Sequence, residues 1–203
     1  MVGIGPVRPF PFPRFHQNLG APLIPLASLT GGYRASLGVF AEAGVRLPVS
    51  SQVRLGGDIG AYSSRGVMVG PAGSYASADD GATLRGLFHS GYINDHGDKK
   101  TDLLGRPVPE ERAFFEWQHQ QTISDHLTFD AQFDWWKDSE VVRDFRPRAF
   151  FPVQEPDTFA EVAYTGANYV ISAFGRFQAN SYRRVQERLP EIRFDLLPTS
   201  IGG

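Results

Sequence analysis

The sequence has no cysteine and only 2 methionines in 203 residues. Without cysteine, disulfides and thiolate metal sites are excluded, although the compartment stays open. Charge of neither sign dominates: the net charge is −2. No basic run stands out, so there is no electrostatic footprint for nucleic acid. No segment approaches the roughly 18 apolar residues of a membrane-spanning helix. That excludes helical spans alone, because a barrel strand crosses with about 9–11 residues and has weak average hydropathy. A leader is also missing: Met1 to Phe15 has no basic start, apolar core or small-residue cleavage site. On an exported reading Met1 is therefore not the native start, and the chain is expected to be a fragment or to have a mispredicted start.

What is present is aromatic and glycine-rich: 16 Phe, 7 Tyr, 3 Trp and 22 Gly. These suit strands and turns better than packed helices. Residues 1–31 carry Pro6, Pro9, Pro11, Pro13, Pro22 and Pro25. Each proline removes a ladder donor, so this stretch reads as an irregular lead-in, with the sheet occupying 32–203.

From Tyr33 the period is two. Tyr33, Ala35, Leu37, Val39, Ala41, Ala43 and Val45 alternate with small or charged residues, which predicts one long strand. Val53, Leu55, Gly57, Ile59 and Ala61 continue the pattern after a turn at Pro48 to Ser51. Further strands are predicted over 66–77, 82–94, 111–122, 126–136, 157–165, 169–181 and 190–197. Leu127, Phe129, Ala131, Phe133 and Trp135 oppose a fully polar His126, Thr128, Asp130, Gln132 and Asp134. Lipid outside and water inside accommodate such a strand. Trp117, Trp135 and Trp136 are placed near strand ends, where aromatic girdles sit. Longer loops are expected at 94–109 and 137–155. The stretches 139–146 and 181–189 are arguable helices that read better as loop. The fold class is thus all-β, an antiparallel transmembrane β-barrel segment with about nine strands of a larger barrel, using about 9–11 residues per crossing.

Catalytic and metal arrangements are weak. Ser124-Asp125-His126 alternates faces on a strand and cannot form a triad. Glu116 and His119 share a face only on a helix, so a metal site is disfavoured. Asp95, Asp98 and Asp102 offer oxygen ligands for calcium but lack the EF-hand pattern; a solvated loop is the stronger reading. Gly3-Ile4-Gly5 has neither a preceding strand nor a third glycine. No catalytic residue, metal or cofactor is assigned. By alternation, Arg54, Asp58, Arg85, Glu116, Asp130, Asp134, Arg176 and Arg193 face a lumen. There they either contact a plug protein or a glycolipid's sugar-phosphate part, or simply form a hydrated interior with paired charges. The plain interior is favoured for any one of them.

Several short motifs follow one another in order. Tyr62-Ser63-Ser64-Arg65-Gly66 precedes a new strand. Asp138-Ser139-Glu140-Val141-Val142-Arg143-Asp144-Phe145 follows Trp135-Trp136. Pro156 to Glu161 comes next, then a strand ending Arg176-Phe177-Gln178, then Glu187-Arg188-Leu189-Pro190-Glu191-Ile192. Over roughly residues 30–200 this succession resembles the LptD family, the lipopolysaccharide-assembly barrels of the outer membrane. The family-like positions are Asp144, Phe145, Gln178, Arg188, Leu189, Pro190 and Glu191. The loop departs from the family in reading Asp138-Ser139 where Ser-Asp is expected, and the periplasmic domain that precedes the family's barrel is absent. The resemblance implies transport without covalent chemistry. Lipopolysaccharide arrives from a periplasmic Lpt bridge protein, a lipoprotein plug like LptE sits in the lumen, and a lateral opening delivers the glycolipid to the outer leaflet. Pro22 and Pro25 would weaken the seam such an opening needs, or merely end the lead-in; the positional habits of proline favour the latter.

Two rival classes remain. Another outer-membrane barrel, porin-like, shares the alternation but not the Arg188-Leu189-Pro190-Glu191 context. A soluble, aromatic-rich carbohydrate-binding β domain would use Trp residues on sugars and Asp130 and Asp134 as acid and base. It would have to expose several long apolar stripes to water.

Overall fold

The computed structural model describes residues 26–79, 81–98, 101–102 and 104–197, with the backbone alone for Leu26 and Leu189. Ten strands form one antiparallel sheet in sequence order: β1 (Leu26–Arg34), β2 (Gly38–Pro48), β3 (Val53–Tyr62), β4 (Gly66–Asp79), β5 (Ala82–Asn94), β6 (Glu111–Ser124), β7 (Leu127–Trp136), β8 (Thr158–Thr165), β9 (Tyr169–Arg176) and β10 (Arg188–Leu196). Two short helices, α1 (Val141–Phe145) and α2 (Pro147–Val153), lie between β7 and β8. The sheet is not closed: β1 and β10 are each paired on one side only.

The first long strand expected from Tyr33 is two strands. Ala35 to Leu37 form a tight turn, followed by Gly38 at φ 73°, and Tyr33 pairs with Val39 across the hairpin. Alternation survives because the pairing returns Tyr33 and Val39 to one face, so the period alone hides the turn. β1 also takes in Leu26–Gly31, which the sequence reading assigns to the lead-in. No proline follows Pro25 until Pro48, so every donor needed for pairing with β2 is intact. The strand expected over 169–181 ends at Arg176, and 181–189 is loop up to Arg188, as expected. The stretch 139–146 is not simply loop, since it contains α1. Pro22, Pro25 and Gly3-Ile4-Gly5 lie outside the described residues.

The connections divide by end. At one end lie the tight turns 49–52, 125–126 and 166–168 and the short step from Asp79 to Ala82. At the other lie the tight turns 35–37 and 63–65 and the three long connections 95–110, 137–157 and 177–187. An up-and-down meander places alternate connections at opposite ends, so all the long segments gather at one end.

Pairing register carries one face across all ten strands. Asp58 of β3 stands opposite Gly44 and Gly70, Ala72 opposite His89, His89 opposite Glu116, Glu116 opposite Asp134, Asp130 opposite Glu161, and Glu161 opposite Phe174. The α1 segment folds onto this inner face. Val141, Val142 and Phe145 pack against Phe40, Tyr62, Met68, Ile93, Phe114 and Trp136, one buried cluster drawn from β2 to β7. Trp136 is therefore inward and buried, not part of a girdle; its Nε1 donates to Glu116 Oε1 at 3.1 Å. Trp117 lies mid-strand on β6, and Trp135 alone of the three faces outward at a strand end.

The outer face carries the apolar alternates. Leu29, Tyr33, Val39, Ile59, Val67, Val69, Tyr92, Ile171, Ile192 and Phe194 are exposed, with Leu29 at 81% and Val39 at 65%. Turn chemistry at the long-loop end is specific: Gly66 closes the β3–β4 turn at φ 117°, and a Cβ there would stand 2.9 Å from the Asn94 carbonyl oxygen. Replacing Gly66 by Ala should destabilise the folded protein by about 1–3 kcal/mol, the usual cost of forcing a side chain into such a backbone conformation. Urea titration of the refolded whole protein measures it; an unchanged midpoint would show that the turn relaxes.

Candidate functional site

Beneath the long-loop end the inner face holds a knot of buried charge. Arg65 comes from the β3–β4 turn, Arg112 from the start of β6, Asp95 from the loop after β5, and Asp138 and Asp144 from the segment after β7. Arg112 is fully buried and grips Asp138 side-on, with Nε 3.0 Å and Nη2 2.8 Å from its two oxygens. Its Nη1 donates to Asp95 at 3.0 Å and to Asp144 at 2.8 Å. Arg65 pairs side-on with Asp95, reaches Asp144 Oδ2 at 3.1 Å and donates to the Ser36 carbonyl at 3.1 Å. The Phe145 ring sits 5.1 Å from the Arg65 guanidinium carbon and 5.3 Å from that of Arg112. Two guanidiniums thus face three carboxylates around one aromatic ring. Such a cluster is geometrically demanding, and its partners are satisfied only in this arrangement.

The knot leaves no free nucleophile or base. Asp95, weighed above as a calcium ligand, is fully engaged by Arg65, Arg112 and the Gly97 amide. Burial pushes its carboxyl up, but the hydrogen bonds from Arg65, Gly97 and Arg112 outweigh it and hold the value down at about 2. A carboxylate depressed in the folded state contributes stability that is present above its unfolded value, near 3.8, and lost as pH falls through about 2. Loop protection should therefore persist at pH 5 and fail between about pH 4 and pH 2. Limited proteolysis of 137–157 with an acid-active protease checks this; loss of protection already at pH 5–6 would contradict it.

Asp102 is likewise spent on Arg106 and on the Leu104 and Arg106 amides. Glu116 and His119 project from opposite faces of β6 and cannot share an ion. Ser124-Asp125-His126 occupies the tight β6–β7 turn, with the His126 ring on the Thr165 carbonyl.

All eight lumen-facing candidates lie on the inner face by register. Asp58 takes Arg46 end-on, accepting from Nη1 at 2.9 Å and Nη2 at 2.8 Å, and also meets the His89 ring. With Glu42, Tyr62 and Arg146, this group borders a cavity of about 320 Å³. Glu116 pairs with Arg146 of the α segment. Arg85 pairs with Gln120 nearer the short turns. Arg54 stands between Pro48 and Ser74. Asp130 is opposite Glu161, and Asp134 is nearly buried, taking Gln132 and the Asp157 amide. Arg176 pairs with Asp157 at 2.9 Å and borders a second cavity of about 470 Å³ together with Arg183 and Arg184. Arg193 pairs with Glu191 on β10.

The family-like positions separate. Asp144 and Phe145 enter the knot, together with Arg65 and Asp138 from segments quoted for the same resemblance. Gln178 lies in the β9–β10 loop, while Arg188 pairs with Glu191 on the open edge strand that also holds Pro190. Arg112 was not singled out in the sequence, and Asp95 was weighed only as a calcium ligand. The signal available for Arg112 was a charge on the inner parity of β6, next to Phe114 on the same face. No family model matches the chain, and no curated protein matches it.

Proposed function

We propose that this chain is wall of an outer-membrane β-barrel of the LptD type, one part of a larger barrel that transports lipopolysaccharide and inserts it into the outer leaflet. The observation that carries the membrane part is the outer face: apolar alternates stay exposed on one side of all ten strands, while the strand charges lie on the other except Asp79 and Glu111 at strand ends. In water that surface far exceeds the few hundred Å² usual for exposed patches; in hydrocarbon it is the expected exterior. Long connections at one end only match the barrel habit of short periplasmic turns and longer outer loops. The open edges of β1 and β10 call for further strands, since unpaired backbone groups in lipid cost several kcal/mol each.

The transport part rests on the resemblance, and one feature supports it: the Arg65 turn and the Asp138–Phe145 segment, distant in sequence, meet in the knot. The inner face would serve lipopolysaccharide and an LptE-like plug, with a periplasmic Lpt bridge protein delivering the glycolipid. No covalent chemistry is involved. Depleting the whole protein in cells should stop newly made lipopolysaccharide from reaching the surface, read by its accessibility to an impermeant label. Unchanged arrival together with ion conductance of the purified protein in planar bilayers would point instead to a porin-like channel.

A further inference from the structure

The outer face carries one hydrogen-bonded polar group amid its aromatic residues. Tyr75 of β4, His119 of β6 and Trp117 of β6 face outward, on the parity opposite to Asp58, His89 and Glu116. Trp117 Nε1 lies 3.1 Å from Tyr75 Oη, and Tyr75 Oη lies 2.8 Å from His119 Nδ1. An indole N–H only donates, so the phenol oxygen accepts from Trp117. With the phenol proton directed at His119 Nδ1, the neutral ring carries its own proton on Nε2. No described residue hydrogen-bonds Nε2.

The arrangement is built into the sheet. Tyr75, Gly86, His119 and Ala131 are successive cross-strand partners. Tyr75 reaches His119 by lying across Gly86, where a Cβ would stand 2.2 Å from its ring. Any other residue at 86 displaces the ring. The trio also sits where the outer face changes character. On the long-loop side, the outward positions of β4–β6 include Val67, Val69, Phe88, Tyr92, Ala113 and Phe115, with Ser90 among them and Asn94 and Glu111 at the strand ends. On the short-turn side, Ser77, Asp79 and Gln121 join the face beside Leu84 and Ile123. His119 is eight residues from Glu111, and Gly86 eight from Asn94. At about 3.4 Å per residue and a tilt of about 40°, that is roughly 20 Å along the barrel axis, close to the full height of an apolar band of about 25 Å.

We infer that Tyr75, Trp117 and His119 form a phospholipid headgroup site at the short-turn boundary of the membrane, with His119 Nε2–H donating to a lipid phosphate oxygen. The relay polarises that donor, and the aromatic rings flank the glycerol region as interfacial residues do. The inference rests on the membrane-spanning reading proposed above.

The test uses the whole protein in dodecyl maltoside, with added lysophosphatidylglycerol or monooleoylglycerol and native mass spectrometry to count retained molecules. Lysophosphatidylglycerol retention should fall about tenfold in His119→Phe, the loss of one hydrogen bond to a charged group. It should fall similarly in Gly86→Ala and stay near the parent level in His119→Gln, which keeps an N–H donor. Monooleoylglycerol, which has the ester but no phosphate, should be insensitive to all three changes. Equal lysophosphatidylglycerol retention by the parent and His119→Phe overturns the site, and His119-dependent retention of monooleoylglycerol overturns the phosphate assignment. In parallel, a dye on Val69→Cys in liposomes is exposed to lipid-borne quenchers. Absence of quenching there rejects the membrane reading itself, whereas quenching without a retention difference rejects the headgroup site alone.

Discussion

Replacing Arg112 by Met should free the 137–157 segment from the inner face and make it a protease target. Arg112 is fully buried and serves Asp138, Asp95 and Asp144 at once. Its removal leaves three carboxylates with Arg65 as the one guanidinium remaining in the knot. Methionine preserves much of the stem volume, so the loss is chiefly electrostatic. Removing one partner of a buried ion pair costs about 3–5 kcal/mol, because the other charge stays desolvated and unpaired. The cheapest response is for Asp138 and Asp144 to return to water, carrying Val141, Val142 and Phe145 out of their cluster. Arg143 and Arg148 then offer cleavage sites, whereas the Arg146–Pro147 bond resists trypsin. Trypsin should cut the variant within this segment while the strands remain intact, as judged by heat-modifiable mobility on gels. A cleavage pattern equal to the parent's would mean that apolar packing alone seats the segment.

Ile59→Arg should impair insertion and folding in lipid vesicles by about 2–4 kcal/mol, the cost of an arginine at the bilayer midplane on a barrel exterior. Ile59 is exposed near the middle of β3, with Ala43 and Val69 as its cross-strand partners on the outer face. Thr30→Arg, on the inner parity of β1 and opposite Glu42, should shift the urea midpoint far less, because the polar interior can hydrate the new charge and Glu42 can pair it. A soluble β domain would reverse the logic, since an added arginine on an exposed apolar face is well solvated. Equal and small effects at both positions would therefore rule against lipid outside this sheet.

The strands themselves were legible because period-two alternation follows directly from the pleat, and it spans most of β2 to β10. Leu127 to Trp135 show it most cleanly, and the structure keeps that set on the outer side. Alternation also put Arg54, Asp58, Arg85, Glu116, Asp130, Asp134, Arg176 and Arg193 on one parity, and the strand register sets them on one side of the sheet. What alternation could not reveal was a turn that preserves parity, which is why β1 and β2 read as one strand. Alternation from Leu127 to Trp135 also puts Trp136 on the inner phase, but it could not show that the α1 segment would bury the ring there.

By itself, then, the sequence determined the sheet, its two faces and the positions of two of its three long connections, because each depends on residues near one another in the chain or on a strict local period. The knot was decided by tertiary structure alone. Arg65, Asp95, Arg112, Asp138 and Asp144 come from four separate segments, and each is an ordinary charge in its own neighbourhood. The Tyr75–His119 contact is of the same kind, created by strand register and by the missing side chain at Gly86. Ion pairs and hydrogen bonds between distant segments carry no periodic signal, and they exist only once folding has fixed the distances that make burying charge tolerable.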